Sequence, residues 1–168
     1  MRFIKLGLIS FVVLFLLGTA MSLLLPSTVI VSRPIDLVAS PDSVQAFVAN
    51  LENWEQWLEH EEGADFKINH TENKITYHNT HIKVLSNQPG KIETEWQVGE
   101  GRKMTGDFNF ISHSNTAVIT LQWQFTQELN WYPWEKLASI LSDKALGPYM
   151  ERSLTNLKQI IEGDKKAQ

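Results

Sequence analysis

The sequence of 168 residues contains no cysteine. This absence excludes disulfide bonds, thiolate catalysis, cysteine-ligated metals and a lipid-modified cysteine. A glycine-rich phosphate loop is also absent, because Gly99 and Gly101 separate two predicted strands and do not begin a helix. Acidic side chains outnumber basic ones by 19 to 15, so the chain lacks the positive charge that nucleic acids require. We therefore expect no nucleic-acid partner.

Charge is also missing from one long segment near the N-terminus. No charged residue occurs between Lys5 and Arg33, and residues 6–25 read LGLISFVVLFLLGTAMSLLL. A helix of about 20 residues is about 30 Å long, which matches the hydrocarbon core of a bilayer. Residues 1–26 are predicted to be a single-pass transmembrane anchor, with a cleaved signal peptide as the alternative. Because Arg2 and Lys5 precede the apolar run, the remaining residues are predicted to lie on the extracytoplasmic (periplasmic) side.

Residues 27–162 are predicted to form one domain. Of the 15 bases, 13 (all but Arg2 and Lys5) lie beyond residue 32, as do all 19 acids, so this part has a net charge of −6. Residues 27–38 alternate as a half-buried strand does, and Pro34 favours an edge position or a bulge there. A short helix is predicted after the N-cap residue Ser40, followed by a second one that carries Trp54 and Trp57.

A run of strands follows these helices, at 66–71, 74–86, 91–98, 103–112 and 116–129. The short turns between them predict antiparallel hairpins. Helical periodicity then extends from residue 134 to 162, with a predicted interruption at Gly147 and Pro148. Residues 163–168 are predicted to be a flexible tail. One apolar sheet face and one apolar helix stripe predict an α+β domain in which the helix packs across the sheet.

Three stretches of this sequence resemble the START-like (SRPBCC) superfamily, and within it the polyketide cyclase/dehydrase and lipid-transport group. They read VIVSRPIDLVASPDSVQAFVANLENWEQWL (29–58), GDFNF with ITLQWQF (106–110 and 119–125), and LGPYMERSLTNLKQIIE (146–162). The resemblance implies the helix-grip fold of START and Bet v 1-like proteins, a curved antiparallel sheet wrapped on a long C-terminal helix, here preceded by one transmembrane helix. It carries no shared catalytic signature, so the fold alone does not determine the function.

The resemblance also implies an apolar cavity between the long helix and the sheet. The residues predicted to bind a ligand there are Trp54, Trp57, Tyr77, Trp96, Phe108, Phe110, Trp123, Met150 and Leu154. For the tryptophan pair, core packing and direct ligand contact are both consistent with the pattern. The predicted function is the binding of a hydrophobic small molecule or lipid next to a membrane. The sequence identifies no protein partner.

Catalysis requires a titratable group within hydrogen-bond reach of the substrate. Asp107 and His78 are the weak candidates for a cyclase or dehydratase, but Asp107 alternates with Phe108 and Phe110, which predicts that it faces solvent. His78 and His81 lie three apart on a predicted strand and so point to opposite faces, which predicts no metal site. No cofactor is expected. A ligand-free protein-interaction module is the remaining alternative.

A cluster of aromatic residues precedes the closing helix. It consists of Trp131, Tyr132 and Trp134, with Pro133 between them. Tryptophan and tyrosine concentrate at membrane interfaces, so insertion into the interface is one interpretation. Packing of the helix onto the sheet is the other.

Overall fold

The computed structural model describes residues 2–24, 26–60, 63, 65–101, 103–113, 117–139 and 141–163. The predicted tail beyond Gly163 lies outside the described residues. The helices are α1 (Arg2–Leu24), α2 (Pro41–Ala49), α3 (Trp54–Trp57), α4 (Pro133–Ser139) and α5 (Ser142–Gly163), with a 3-10 turn at Leu51–Asn53. The strands are β1 (Thr28–Val38), β2 (Phe66–Asn69), β3 (Lys74–Tyr77), β4 (Thr80–Gln88), β5 (Lys91–Val98), β6 (Lys103–Ser112) and β7 (Val118–Glu128).

The strands form one antiparallel sheet in the order β1-β7-β6-β5-β4-β3-β2. Strand β1 is an edge strand, as Pro34 predicts, since proline has no N–H to give to a second neighbour. The α+β architecture, the antiparallel sheet and the long C-terminal helix are confirmed. Residues 41–49 begin as predicted, with Pro41 in the first turn and the Ser40 hydroxyl accepting from Ser43 N.

One predicted strand is wrong. Residues 74–86 do not form a single strand but a hairpin of β3 and β4, in which Tyr77 pairs with Thr80. The turn consists of His78 and Asn79, and His78 adopts a φ of 52°. Such a left-handed turn residue is usually glycine or asparagine, so a histidine in this place gives no turn signal in the sequence.

The predicted break in the closing helix is also misplaced. Helix α5 continues through Gly147 and Pro148, and the preceding segment separates from it before Ser142. Proline inside a helix removes one backbone hydrogen bond and crowds the preceding turn. The neighbouring contacts of α5 stabilise the helix in spite of this cost.

An arginine on β1 fixes the first turns of α5. Arg33 forms ion pairs with Asp143 at 2.9 Å and Glu151 at 2.7 Å, two residues that flank Gly147 along the helix. A Cβ atom at Gly147 would collide with the Arg33 guanidinium. Because residue 147 is glycine, the guanidinium can lie directly against the helix backbone. Arg33 thereby joins the edge strand to α5.

Strand register assigns several segments to one end of the sheet, which we call the anchor end. Thr28 at the start of β1 pairs with Glu128 at the end of β7, so this end follows directly after α1. Across the sheet, Val98 pairs with Thr80 and Thr80 with Tyr77. The hairpin turn at His78 and Asn79 therefore lies at the anchor end, although it is on the far side of the sheet from β1.

Helix α1 precedes the domain. Within α1, the 22 residues Phe3–Leu24 are a helical stretch that is long and apolar enough to cross a membrane. A signal sequence has the same length and composition. Most of its large apolar side chains are exposed, so the domain does not bury this helix as a core element.

Candidate functional site

The interior between α5 and the sheet is packed with aromatic rings. Alternation on β5, β6 and β7 directs one set of side chains toward α5, and α3 adds two tryptophans from the same side. The rings of Phe108 and Trp123 stack with centroids 5.1 Å apart, and Trp54 and Trp57 are also 5.1 Å apart. Trp96 lies 5.6 Å from Trp123. Each such pair contributes about 0.5–1.5 kcal/mol beyond the buried area.

Two of the buried indoles are held by hydrogen bonds. Trp54 Nε1 donates to the carbonyl of Val48 at 2.7 Å. Trp96 Nε1 donates to Thr94 Oγ1 at 2.7 Å, and that hydroxyl donates to the carbonyl of Gly106 at 2.6 Å. A Cβ at Gly106 would lie 2.7 Å from both Thr94 Oγ1 and Trp96 Nε1, so only glycine leaves space for this relay.

The other two buried indoles make no such hydrogen bond in the described part of the chain. Within the described residues, Trp57 Nε1 and Trp123 Nε1 are buried without a hydrogen-bond partner. Leaving a buried donor unsatisfied costs about 1–3 kcal/mol. The centres of these two rings are 5.8 Å apart, so both N–H groups belong to the same part of the interior.

A pocket of about 340 Å³ opens at the anchor end, beside this interior. It lies where the turn between β3 and β4 meets the loop after α3 and the second and third turns of α5. We call it the end pocket. It is lined by Glu59, His60, Tyr77, His78, Thr80, Tyr149 and Arg152.

Two tyrosines connect the end pocket to the aromatic interior. The hydroxyl oxygens of Tyr77 and Tyr149 form a hydrogen bond of 2.9 Å. The ring of Tyr149 lies 5.9 Å from that of Trp123 and 6.5 Å from that of Trp96. The ring of Phe66 stacks on Tyr77 at 4.6 Å. Tyr149 therefore lines the pocket with one part and contacts the interior with the other.

Burial keeps both hydroxyls protonated. It raises the pKa of Tyr149 well above the usual value of 10.0, and the neighbouring Tyr77 and the Glu59 carboxylate raise it further. Burial also raises the pKa of Tyr77, against the opposing effect of hydrogen bonds with Tyr149 and Thr80. At neutral pH the pair is uncharged and can donate or accept one further hydrogen bond.

Polar residues form the rim of the end pocket. Arg152 Nε lies 2.9 Å from Glu59 Oε1, and Glu59 N donates to the buried Ser153 Oγ at 2.9 Å. His60 packs edge-on against Phe66 with ring centroids 4.8 Å apart. These contacts fix the loop after α3 on α5 and place charged and polar groups around the opening of the pocket.

The predicted ligand-binding residues are all brought together in the fold. Tyr77 lines the end pocket, and the other eight are buried in the interior behind it: Trp54, Trp57, Trp96, Phe108, Phe110, Trp123, Met150 and Leu154. Contact of these eight with a ligand stays a prediction. Their rings pack against one another, so a ligand reaching them has to separate contacts that are closed in this structure.

The two weak catalytic candidates lie in different places. Asp107 points to the face of the sheet away from α5, where Lys91 Nζ lies 3.5 Å from its Oδ1, so it does not reach the interior. Glu95 lies on that same face and pairs with Lys103 at 2.8 Å. His78 lies in the turn and lines the end pocket. Among the described residues, no group of three or more His, Asp or Glu side chains is arranged to hold a metal.

Several residues of the site were not predicted. Tyr149 belongs to the apolar stripe of the closing helix, and the available signal was its hydroxyl, which needs a hydrogen-bond partner when the ring is buried. Glu59 and Arg152 are separated by more than 90 residues and pair only in the folded chain. Thr94 lies on the same face of β5 as Ile92 and Trp96, so the alternation of the strand does indicate that its hydroxyl faces the interior.

No protein-family model and no curated protein matches the sequence. Solved structures do match the fold. A START superfamily protein from Mycobacterium smegmatis superposes with a TM-score of 0.59 and 16% identity, over 80% of this chain and 98% of that one. Protein CV1439 from Chromobacterium violaceum superposes with a TM-score of 0.57 and 15% identity, over 82% of this chain and 99% of that one.

The di-domain ARO/CYC protein StfQ from the steffimycin biosynthetic pathway has a TM-score of 0.61 and 13% identity, over 83% of this chain. The match covers 52% of StfQ, so this chain spans about half the length of that protein. At such identities the likeness establishes the fold. The chain has the START-like helix-grip fold, as the resemblance in its sequence implies.

Proposed function

We propose that the domain binds an apolar or amphipathic small molecule of the lipid class without transforming it, and that the molecule reaches the interior through the end pocket. The contact of Tyr149 with both the pocket and the Trp96–Trp123 pair is the observation that carries this proposal. Displacing that one ring joins the pocket to the aromatic interior. Apolar pockets with a few polar groups at the opening are typical of small-molecule sites.

The unpaired indole N–H groups favour a ligand that carries an oxygen acceptor. An oxygen acceptor that reached either Nε1–H group would remove the cost of leaving that donor unsatisfied. The ligand would thus combine an apolar body with one internal acceptor group.

The proposal includes α1 as an uncleaved anchor that holds the domain on the extracytoplasmic side of the membrane. The end pocket and the C-terminal end of α1 both belong to the anchor end of the sheet. A tether at this end would keep the pocket opening close to the bilayer, from which a lipid-class ligand is taken.

Photocrosslinking in vesicles tests this function on the full chain. A phosphatidylcholine with a diazirine in its acyl chain is incorporated, and labelled peptides are mapped by mass spectrometry. We expect labels on α1 and also on the segments around Tyr77 and Tyr149. Labelling of α1 provides the internal control, and labels restricted to α1 and the protein surface would overturn the binding proposal.

A cyclase or dehydratase is the second candidate. Its support is the set of proton-transfer groups around the end pocket, which includes Glu59, His60, His78 and the tyrosine pair. Loss of water from a β-hydroxy ketone, followed by chromatography, tests it. A rate above the uncatalysed one that falls in His78→Ala would favour the enzyme over the binding protein.

A ligand-free interaction module is the third candidate, and the ring-to-ring packing of the interior supports it. The photocrosslinking experiment separates it from the first candidate, because a permanently closed interior takes up no label.

A further inference from the structure

Three aromatic side chains form an exposed surface beside the C-terminal end of α1. Trp131 and Trp134 are 58% and 60% exposed. Tyr132 lies between them, with its ring 4.8 Å from Trp131 and 4.9 Å from Trp134. Tyr132 stacks on Trp134 and contacts Trp131 at a tilt, so the three rings form one cluster. We call these three residues the aromatic surface.

Hydrogen bonds connect this surface to the apolar helix. Ser22 Oγ, which is buried, donates to the carbonyl of Trp131 at 3.3 Å. Leu129 N donates to the carbonyl of Ser27 at 2.7 Å, so the segment that leaves α1 is paired with the segment that enters the aromatic surface. Helix α4, which carries Trp134, packs on α1.

These contacts fix the depth of the aromatic surface relative to α1. Ser22 lies two residues before the last residue of the helix, which at 1.5 Å per residue is about 3 Å along its axis. When α1 crosses a bilayer, Trp131 therefore lies at the level where the hydrocarbon core ends. Tryptophan and tyrosine have their lowest free energy at this level, because the ring is apolar and the N–H or O–H group stays hydrated.

We propose that the aromatic surface inserts into the interface of the membrane that α1 spans, and so fixes the orientation of the domain on that membrane. The proposal rests on the anchor included in the proposed function. Its occupant is a zwitterionic lipid interface, because the domain has a net charge of −6 and offers no excess of basic charge for anionic lipids. Two attachments, α1 and the aromatic surface, restrict tilting and hold the anchor end toward the bilayer.

Quenching of intrinsic fluorescence tests the proposal on the full chain in phosphatidylcholine vesicles. Four of the six tryptophans are buried in the interior, and phosphatidylcholine brominated on its acyl chain quenches them only where it enters that interior, so the difference between the wild type and the variant W131F/W134F reports on Trp131 and Trp134. We expect wild-type emission to fall in brominated vesicles, and the absolute loss of emission to be smaller in the variant W131F/W134F. Equal quenching of both proteins would overturn the proposal.

A second measurement uses single cysteines, which is direct because the chain has none of its own. Trp134→Cys and Ile111→Cys are labelled with the fluorophore NBD. Ile111 is also apolar and exposed but lies at the opposite end of the sheet, and it serves as the matched control. Leu23→Cys in α1 reports on the anchor. We expect a blue shift at positions 23 and 134 and none at 111.

The outcomes separate the surface from the anchor and from ligand binding. A blue shift at position 23 without one at position 134 would overturn the proposed insertion of the aromatic surface and leave the anchor intact. Absence of a shift at position 23 would overturn both. The labels expected around Tyr77 and Tyr149 do not require insertion of the aromatic surface, so a failure of ligand binding is detected separately from a failure of the aromatic surface.

Discussion

The hydroxyl oxygens of Tyr77 and Tyr149 lie 2.9 Å apart at the boundary between the end pocket and the aromatic interior. One residue comes from the end of β3 and the other from the second turn of α5. This hydrogen bond therefore closes the helix against the sheet at the end where the pocket opens. Its properties determine the first prediction.

Stability should fall at alkaline pH because of this pair. Burial raises the pKa of both hydroxyls above 10.0, so the unfolded chain loses these protons at a lower pH than the folded one. Their contribution is complete below about pH 10 and is lost as the pH rises further, with a slope of at most about 1.4 kcal/mol per pH unit for each group. Urea unfolding between pH 8 and 11 measures the loss.

The variant Y77F/Y149F provides the comparison. It lacks both titrating groups, so its free energy of unfolding should decline less steeply above pH 10 than that of the wild type. The Lys91 ammonium, whose pKa is raised by Glu93, also contributes less to the free energy of unfolding as the pH rises through this range. This change is the same in both proteins. Parallel curves would show that the pair does not titrate differently in the folded state.

Filling the end pocket should block lipid uptake. Thr80 lines the pocket, and Thr80→Trp places a large ring in a volume of about 340 Å³. We expect diazirine labels near Tyr149 to disappear while labels on α1 remain. Thr105→Trp is the matched control, because Thr105 is an exposed strand residue outside the pocket lining. Persistent labelling in Thr80→Trp would place the route to the interior elsewhere.

The sequence predicts the fold well where periodicity is strong. Alternation along β5, β6 and β7, and the apolar stripe of α5, define which faces meet, and the resulting helix-on-sheet packing is confirmed. The hairpin at His78 was missed because its left-handed turn residue is not glycine. The break before α5 was misplaced because Pro148 is normally a stronger signal than the loop residues that separate α4 from α5.

The candidate site was less predictable, and for a physical reason. Patterning identifies side chains that face the interior, but it does not reveal whether rings such as Trp96 and Trp123 line a space or fill it. That depends on distances of a few ångströms between segments far apart in the chain. The end pocket likewise arises from the meeting of Glu59, Thr80 and Tyr149, and the sequence contains no local mark of that meeting.

The two tryptophans of α3 should differ in their contribution to stability. Both are fully buried, but Trp54 Nε1 donates to the Val48 carbonyl and Trp57 Nε1 has no partner within the described residues. Replacement by phenylalanine removes a similar volume at each site. Trp54→Phe should therefore cost about 1–2 kcal/mol more than Trp57→Phe, since only the first removes a hydrogen bond. Urea unfolding of both variants measures the difference, and equal losses would indicate an acceptor for Trp57.

The effect of Gly147→Ala on the free energy of unfolding should depend on Arg33 and change sign when Arg33 is removed. In the wild type, Gly147→Ala places a Cβ against the guanidinium and forces it away from Asp143 and Glu151, so we expect a loss of stability. In an Arg33→Ala background the obstacle is absent, and alanine is favoured over glycine inside a helix by about 1 kcal/mol. The same substitution should then stabilise the protein.

The four proteins of this cycle, wild type, R33A, G147A and R33A/G147A, are compared by urea unfolding at pH 7. Because the two residues touch, their effects should not add, and the coupling free energy should favour the double variant. If Gly147→Ala has the same effect in both backgrounds, the guanidinium moves aside without cost. Arg33 would then lie against α5 without holding it, and the glycine would serve no packing purpose at this contact.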